Sequence, residues 1–267
     1  MYPFKKNINV FCLDELHAGG NKYYKLKYNV REARRFGATR LLSFGGAWSN
    51  HIHALALLGQ SEGIETIGVI RGERPRSLSA TLLDAVAAGM ELHFISRQAY
   101  RSNSEPALLA ELRAKYGEFY LLPEGGTNDL AVQGAAEIIR DLREAQPLFD
   151  KVILPIATGG TLAGIAKALR GNESVVGISV LKGNIEMQQE TEQTIRQLLG
   201  SEPAISESAI ELDNKTSTSH VARWTIDHRF HCGGYAKCPP YLREFIYQTE
   251  QVLGYQLEPV YSAKMLW

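Results

Sequence analysis

The stretch TRLLSFGGAWSNHIHALALLGQSEGIETIGVI, residues 39–70, decides the fold. Residues 41–44 and 66–70 are short runs of apolar, mostly strand-favouring side chains. Between them, residues 52–61 make an alanine- and leucine-rich amphipathic stretch that ends near Gly63, a residue suited to a helix terminus. The two runs are apolar on both faces, the pattern of strands buried in a parallel sheet. Strand, helix and strand in this order predict an α/β architecture.

The same texture extends in both directions. Downstream, residues 78–88 form a second helical stretch ending near Gly89, and residues 92–95 a third strand. The alternation resumes after Phe149, with strands over 151–156 and 175–181 and helices over 162–169 and 185–199. Residues 201–219 are rich in Ser, Glu and Thr and read as a surface excursion. Residues 240–253 follow two prolines and precede Gly254, which predicts a last helix. Upstream, residues 22–35 are helix-like. These elements predict two lobes with open parallel or mixed sheets and helices on both faces. The larger is expected from residues 1–38 and 126–267 and the smaller from 39–125. A ligand is expected in the cleft between them, at the carboxyl ends of the strands.

Bulk composition narrows the function classes. The 267 residues carry 29 basic and 29 acidic side chains, so no net positive charge draws the chain to nucleic acid or an anionic membrane. No run approaches the ~20 apolar residues of a spanning helix. The amino terminus has no apolar stretch of signal-peptide length. Cys12, Cys232 and Cys238 are few and odd in number, which fits a reducing compartment. A cytoplasmic protein acting on a small molecule is expected, with no nucleic acid and no membrane as partner.

Four segments carry residue types with chemistry. In Gly19-Gly20-Asn21-Lys22, a glycine turn opens a helix on a lysine. That is either a plain helix start with solvated lysines or a placed amine for Schiff-base chemistry. In Ser43-Phe44-Gly45-Gly46-Ala47-Trp48-Ser49-Asn50-His51, a strand passes through glycines to a helix start, which serves capping or anion binding. Thr158-Gly159-Gly160-Thr161 stands between a strand and a helix. It lacks the lysine of a P-loop and the glycine spacing of a dinucleotide site, so a phosphate cradle is the better reading. The fourth segment, Glu258-Pro259-Val260-Tyr261-Ser262-Ala263-Lys264, reads alone as an edge strand or a loop with a packed tyrosine. His228, His231, Cys232 and Cys238 do not reproduce a zinc-site spacing, so no metal is expected.

In this order, GGNKYYKLKYN, SFGGAWSNH, PEGGTN, ATGGTLAG, GGYAK and EPVYSAK resemble the family of D-cysteine desulfhydrase and 1-aminocyclopropane-1-carboxylate deaminase. That family lies in the tryptophan-synthase-β-like, fold type II group of pyridoxal-phosphate enzymes, and the likeness runs nearly end to end. The resemblance implies two α/β lobes with pyridoxal 5'-phosphate between them. It makes Lys22 the lysine that carries the cofactor as a Schiff base and moves protons once released. It gives Asn50 a hydrogen bond to the cofactor's 3′-oxygen. Ser49, Asn50 and His51 are to receive the substrate carboxylate, and Thr158, Gly159, Gly160 and Thr161 the cofactor phosphate. Tyr261 and Tyr235 are implied as active-site tyrosines, and Lys25 as structural.

Ser262 is implied to face the pyridine nitrogen, where relatives that open a cyclopropane ring resemble this stretch but carry a glutamate. A hydroxyl cannot stabilise a protonated ring nitrogen as a carboxylate does. The sink should therefore be weaker and suited to α,β-elimination of a good leaving group. The expected reaction converts a small amino acid such as D-cysteine to pyruvate, hydrogen sulfide and ammonia. Ring opening, or the chemistry of another fold type II lyase or deaminase, is the alternative. Relatives continue further at both ends, which leaves a non-catalytic pyridoxal-phosphate-binding protein as a second alternative. A homodimer is also implied.

Overall fold

The computed structural model describes residues 2–5, 7–101, 105–200 and 223–267, so the expected excursion over 201–219 lies outside the described residues. In chain order the elements are β1 (Tyr2–Lys5), β2 (Ile8–Val10), α1 (Asn21–Arg35), β3 (Arg40–Gly45), α2 (Asn50–Glu62), β4 (Glu65–Arg71), α3 (Ala80–Ala87) and β5 (Glu91–Ile95). Next come α4 (Arg97–Arg101), α5 (Pro106–Tyr116), β6 (Tyr120–Leu122), α6 (Asp129–Ala136), α7 (Ile138–Ala145), β7 (Lys151–Ile156) and α8 (Gly160–Ala168). The chain ends with β8 (Ser174–Ser179), α9 (Ile185–Leu199), β9 (Trp224–Asp227), α10 (Pro240–Leu253) and α11 (Ser262–Leu266). It divides into two units, Cys12–Gly134 and Met1–Phe11 with Ala135–Trp267.

In the first unit the sheet runs β5-β4-β3-β6, with every pairing parallel. Side chains of β3 alternate between two cores, as a strand's period of two requires. Leu41 packs with Ile52 and Leu55 of α2, Leu82 of α3, and Leu26, Val30 and Ala33 of α1. Leu42 and Phe44 pack on the other face with Tyr100, Leu112 and Tyr116 from α4 and α5. Helices thus cover both faces, as the unbroken apolar runs predicted. Each of these fully buried aliphatic side chains contributes roughly 1.5–3 kcal/mol relative to exposure. Local signals set the ends of α2. Ser49 accepts the Ile52 N–H at 3.3 Å as N-cap, and Gly63 closes the helix at φ 66°.

The division places residues 12–38 and 126–134 with the sheet of β3, whereas the sequence reading had assigned them to the other lobe. The cause is packing. One face of α1 belongs to the core shared with α2, and Asn29 exchanges amide hydrogen bonds with Asn128 at 3.2 and 2.7 Å.

The second unit holds the antiparallel pair β1-β2 and the parallel sheet β7-β8-β9. Its expected strands and helices appear, β7, α9 and α10 with the predicted ends. The segment 258–264, expected as an edge strand or loop, instead leads at Ser262 into the short helix α11, which packs beside β7. Among the described residues no helix is long and apolar enough to cross a membrane.

Candidate active site

The order β5-β4-β3-β6 puts a topological switch beside β3. The chain steps outward through β4 and β5, then returns to pair β6 with the other edge of β3. Ligand crevices form outside the carboxyl ends of strands at such points. Three segments meet there: the end of β3, the start of α2, and the glycine turn after β6.

Ser43, buried in β3, has its hydroxyl 3.0 Å from the Leu122 carbonyl, 3.3 Å from that of Pro123 and 2.8 Å from His51 Nε2. A hydroxyl has one proton, and two carbonyls compete for it, so the imidazole donates from Nε2 and keeps Nδ1 as a bare acceptor. Nδ1 is buried and has no hydrogen-bond partner among the described residues. Burial holds the ring well below the usual histidine range, with Lys25 and then Lys22 adding to the effect, so it is neutral at pH 7. Gly126 lies against it, and a Cβ there would come within 3.0 Å of His51 Cε1.

Lys22 and Lys25 have different surroundings. Lys22 is the second residue of α1, after Gly19 and Gly20 at positive φ; it is half-buried, and its Nζ donates to Asn21 Oδ1 at 3.2 Å. The turn before it sits on α2, since a Cβ on Gly19 would lie 3.0 Å from Ala54 Cβ. Lys25 is 1% exposed, and its ammonium donates to the Gly125 carbonyl and, at 2.9 Å, to Thr127 Oγ1. Lys25 therefore ties the glycine turn to α1. The predicted residues Lys22, Ser49, Asn50 and His51 all fall in this unit, at α1 and the first turn of α2.

The remaining predicted residues fall in the other unit. There β7 runs through Ala157 and Thr158 to Gly159, the N-cap of α8, at φ 77°. A side chain would be strained at that angle, and a Cβ would lie 2.5 and 2.7 Å from Ile195 Cγ1 and Cδ1 on α9. The first intrahelical bond of α8 runs from the Ala163 N–H to the Gly159 carbonyl at 3.0 Å. The N–H groups at the start of such a helix find no acceptor within it, and the helix dipole favours an anion there. The geometry fits a phosphate.

Tyr235 and Tyr261 meet edge to face, with ring centroids 6.1 Å apart. The Glu258 carboxylate accepts the Val260 N–H at 2.8 Å and the Tyr261 N–H at 2.7 Å. Ser262 Oγ donates to the Glu258 carbonyl at 3.1 Å and accepts the Glu258 N–H at 2.9 Å, so its single proton is already placed. Ser43, Glu258 and Lys264 stand within the motifs quoted above, but the sequence reading gave them no role. Their contacts run to backbone or to residues far along the chain, which no local spacing signals. Among the described residues no group of three or more His, Cys, Asp or Glu side chains could hold a metal ion.

Residues 4–222 match the family described as pyridoxal-phosphate dependent enzyme. The chain is 29% identical to a putative 1-aminocyclopropane-1-carboxylate deaminase of Thermotoga maritima, over 98% of this chain and 82% of that protein. It is 27% identical to a D-cysteine desulfhydrase of Serratia proteamaculans, over 72% of this chain and 61% of that protein. Among solved structures, a homologue of 1-aminocyclopropane-1-carboxylate deaminase aligns with a TM-score of 0.73 at 21% identity. That alignment covers 99% of this chain and 85% of the other, and it shows a shared fold.

Proposed function

Because the chain belongs to the pyridoxal-phosphate dependent enzyme family, we propose that it breaks down a small amino acid by α,β-elimination followed by hydrolysis, with D-cysteine and water as substrates and pyruvate, hydrogen sulfide and ammonia as products. When bound, pyridoxal phosphate supplies the electron sink for the pair left on Cα. Lys22 holds it covalently and, once displaced by the substrate amine, carries the Cα proton. Thr158, Gly159, Gly160 and Thr161 hold its phosphate through the start of α8, and Asn50 its 3′-oxygen. Ser49, Asn50 and His51 receive the substrate carboxylate with the N–H groups that open α2. His51 contributes its backbone there, because the lone pair on its Nδ1 would repel an anion. Tyr235 and Tyr261 flank the substrate.

The observation that carries elimination over ring opening is Ser262. It is a hydroxyl rather than a carboxylate, and its proton is committed to the Glu258 carbonyl. A ring nitrogen beside it gains no anionic partner, so the sink is weak and favours expulsion of a stable thiolate. Relatives named for 1-aminocyclopropane-1-carboxylate deamination make ring opening the second reading. The non-catalytic alternative drew on the chain's ends. The relatives that the chain resembles are named as enzymes, a deaminase and a desulfhydrase, which leaves that alternative without support. The homodimer and the cytoplasmic location remain part of the proposal.

Holoenzyme supplied with D-cysteine or with 1-aminocyclopropane-1-carboxylate tests the reading. Sulfide and pyruvate in equal amounts from the first, with little 2-oxo acid from the second until Ser262→Glu is introduced, is the expected result. Strong ring opening by the unaltered enzyme would overturn it.

A further inference from the structure

We propose that Lys264 is a positioning residue that fixes Tyr235 beside Tyr261 through the carbonyl of Gly234. The inference rests on the assignment of these two tyrosines to the active site. Lys264 is 0% exposed, and its Nζ donates to the Gly234 carbonyl at 2.6 Å. That carbonyl also accepts the Lys237 N–H at 3.1 Å.

The loop it holds is conformationally demanding. Gly233 and Gly234 stand at φ 91° and 115°, and the non-glycine residues Cys232 and Ala236 at 50° and 56°. Left-handed backbone at non-glycine residues persists only where the surroundings over-determine it. The ammonium of Lys264 supplies such a constraint at the residue directly before Tyr235.

The other tyrosine is gripped from the same segment. Glu258 binds the N–H groups of Val260 and Tyr261, and Lys264 follows three residues later. Residues 258–264 thus hold the backbone at both rings, which then meet edge to face at an interplanar angle of 78°. Stability alone gives no reason for a lysine here. Removing an ammonium from water is unfavourable, and well-packed apolar side chains often replace buried charges without loss of stability. The ammonium instead gives the loop one defined arrangement.

The test uses pyridoxal-phosphate-loaded protein containing 3-fluorotyrosine, with the Tyr235 and Tyr261 resonances identified by their loss in Tyr235→Phe and Tyr261→Phe. Lys264→Met should melt at or above the wild-type temperature, yet move both fluorine resonances as the ring contact is lost. Its kcat on D-cysteine should fall on the order of 10²-fold with KM changed far less, as a small misplacement at the reacting centre does. Unmoved resonances in a folded variant would overturn the proposal. If Lys264→Met does not fold, Lys264→Gln, whose N–H stops one bond short, is read in the same way, and unmoved resonances there overturn it too. A wild type that forms no borohydride-fixed link to the cofactor would sink the active-site assignment instead. The resonances would still decide the Lys264 contact.

Discussion

Gly159→Ala probes the cradle proposed for the cofactor phosphate. An L-residue at φ 77° costs roughly 1–2 kcal/mol. The added methyl would also lie 2.5 Å from Ile195 Cγ1, in a side chain that is 0% exposed and has little room to retreat. Overpacking of that kind costs roughly 1–3 kcal/mol. The sum, about 2–5 kcal/mol, should appear in urea denaturation as a lower midpoint with an unchanged slope, and as a melting temperature lower by on the order of 10 °C. Pyridoxal-phosphate affinity, measured by titration, should fall as well, since the turn that presents the α8 N–H groups has shifted. Ile195→Ala separates the two causes. It should relieve the steric share, giving a coupling energy of about 1–3 kcal/mol in a double-mutant cycle, while the backbone strain remains. A variant as stable as wild type, or a cycle with no coupling, would refute the reasoning.

His51 and Lys25 give further expectations. The unfolded chain takes up a proton on His51 near pH 6.5, but the folded chain, with that pKa depressed, does not. The histidine's contribution is therefore present above about pH 6.5 and lost as pH falls towards the folded pKa, at up to ~1.4 kcal/mol per pH unit. Urea midpoints at pH 5 and pH 7 should differ more in wild type than in His51→Gln, and equal differences would count against a buried neutral ring. Lys25→Ala should cost roughly 2–4 kcal/mol in denaturation, through the unsatisfied Gly125 carbonyl and the space left behind, and Lys22→Ala much less. Equal losses would mean that Lys25 does not anchor the glycine turn.

Much of the fold was legible because its signals are local. The apolar runs at 41–44 and 66–70, the Ser49 cap and Gly63 lie within a few residues of the elements they define. Residues 12–38 could not be placed with the correct unit from sequence, because their allegiance comes from Leu26, Val30 and Ala33 meeting α2 and from Asn29 meeting Asn128. The short β6 and β9 carry too few residues for a period, and α11 exists because Glu258 and Ser262 close the preceding turn. At the candidate site the glycine turns and Lys22 stand out as motifs. The tautomer of His51 and the burial of Lys25 and Lys264 arise only when distant segments meet, and the committed proton of Ser262 needs a turn that no residue pattern announces.

The central claim is that Lys22 holds the cofactor. Protein loaded with pyridoxal phosphate, reduced with borohydride and digested, should show the adduct by mass spectrometry on the peptide containing Lys22, and on that residue rather than Lys25. The adduct should vanish in Lys22→Ala. An adduct on another lysine, or none in the unaltered protein, would contradict the account.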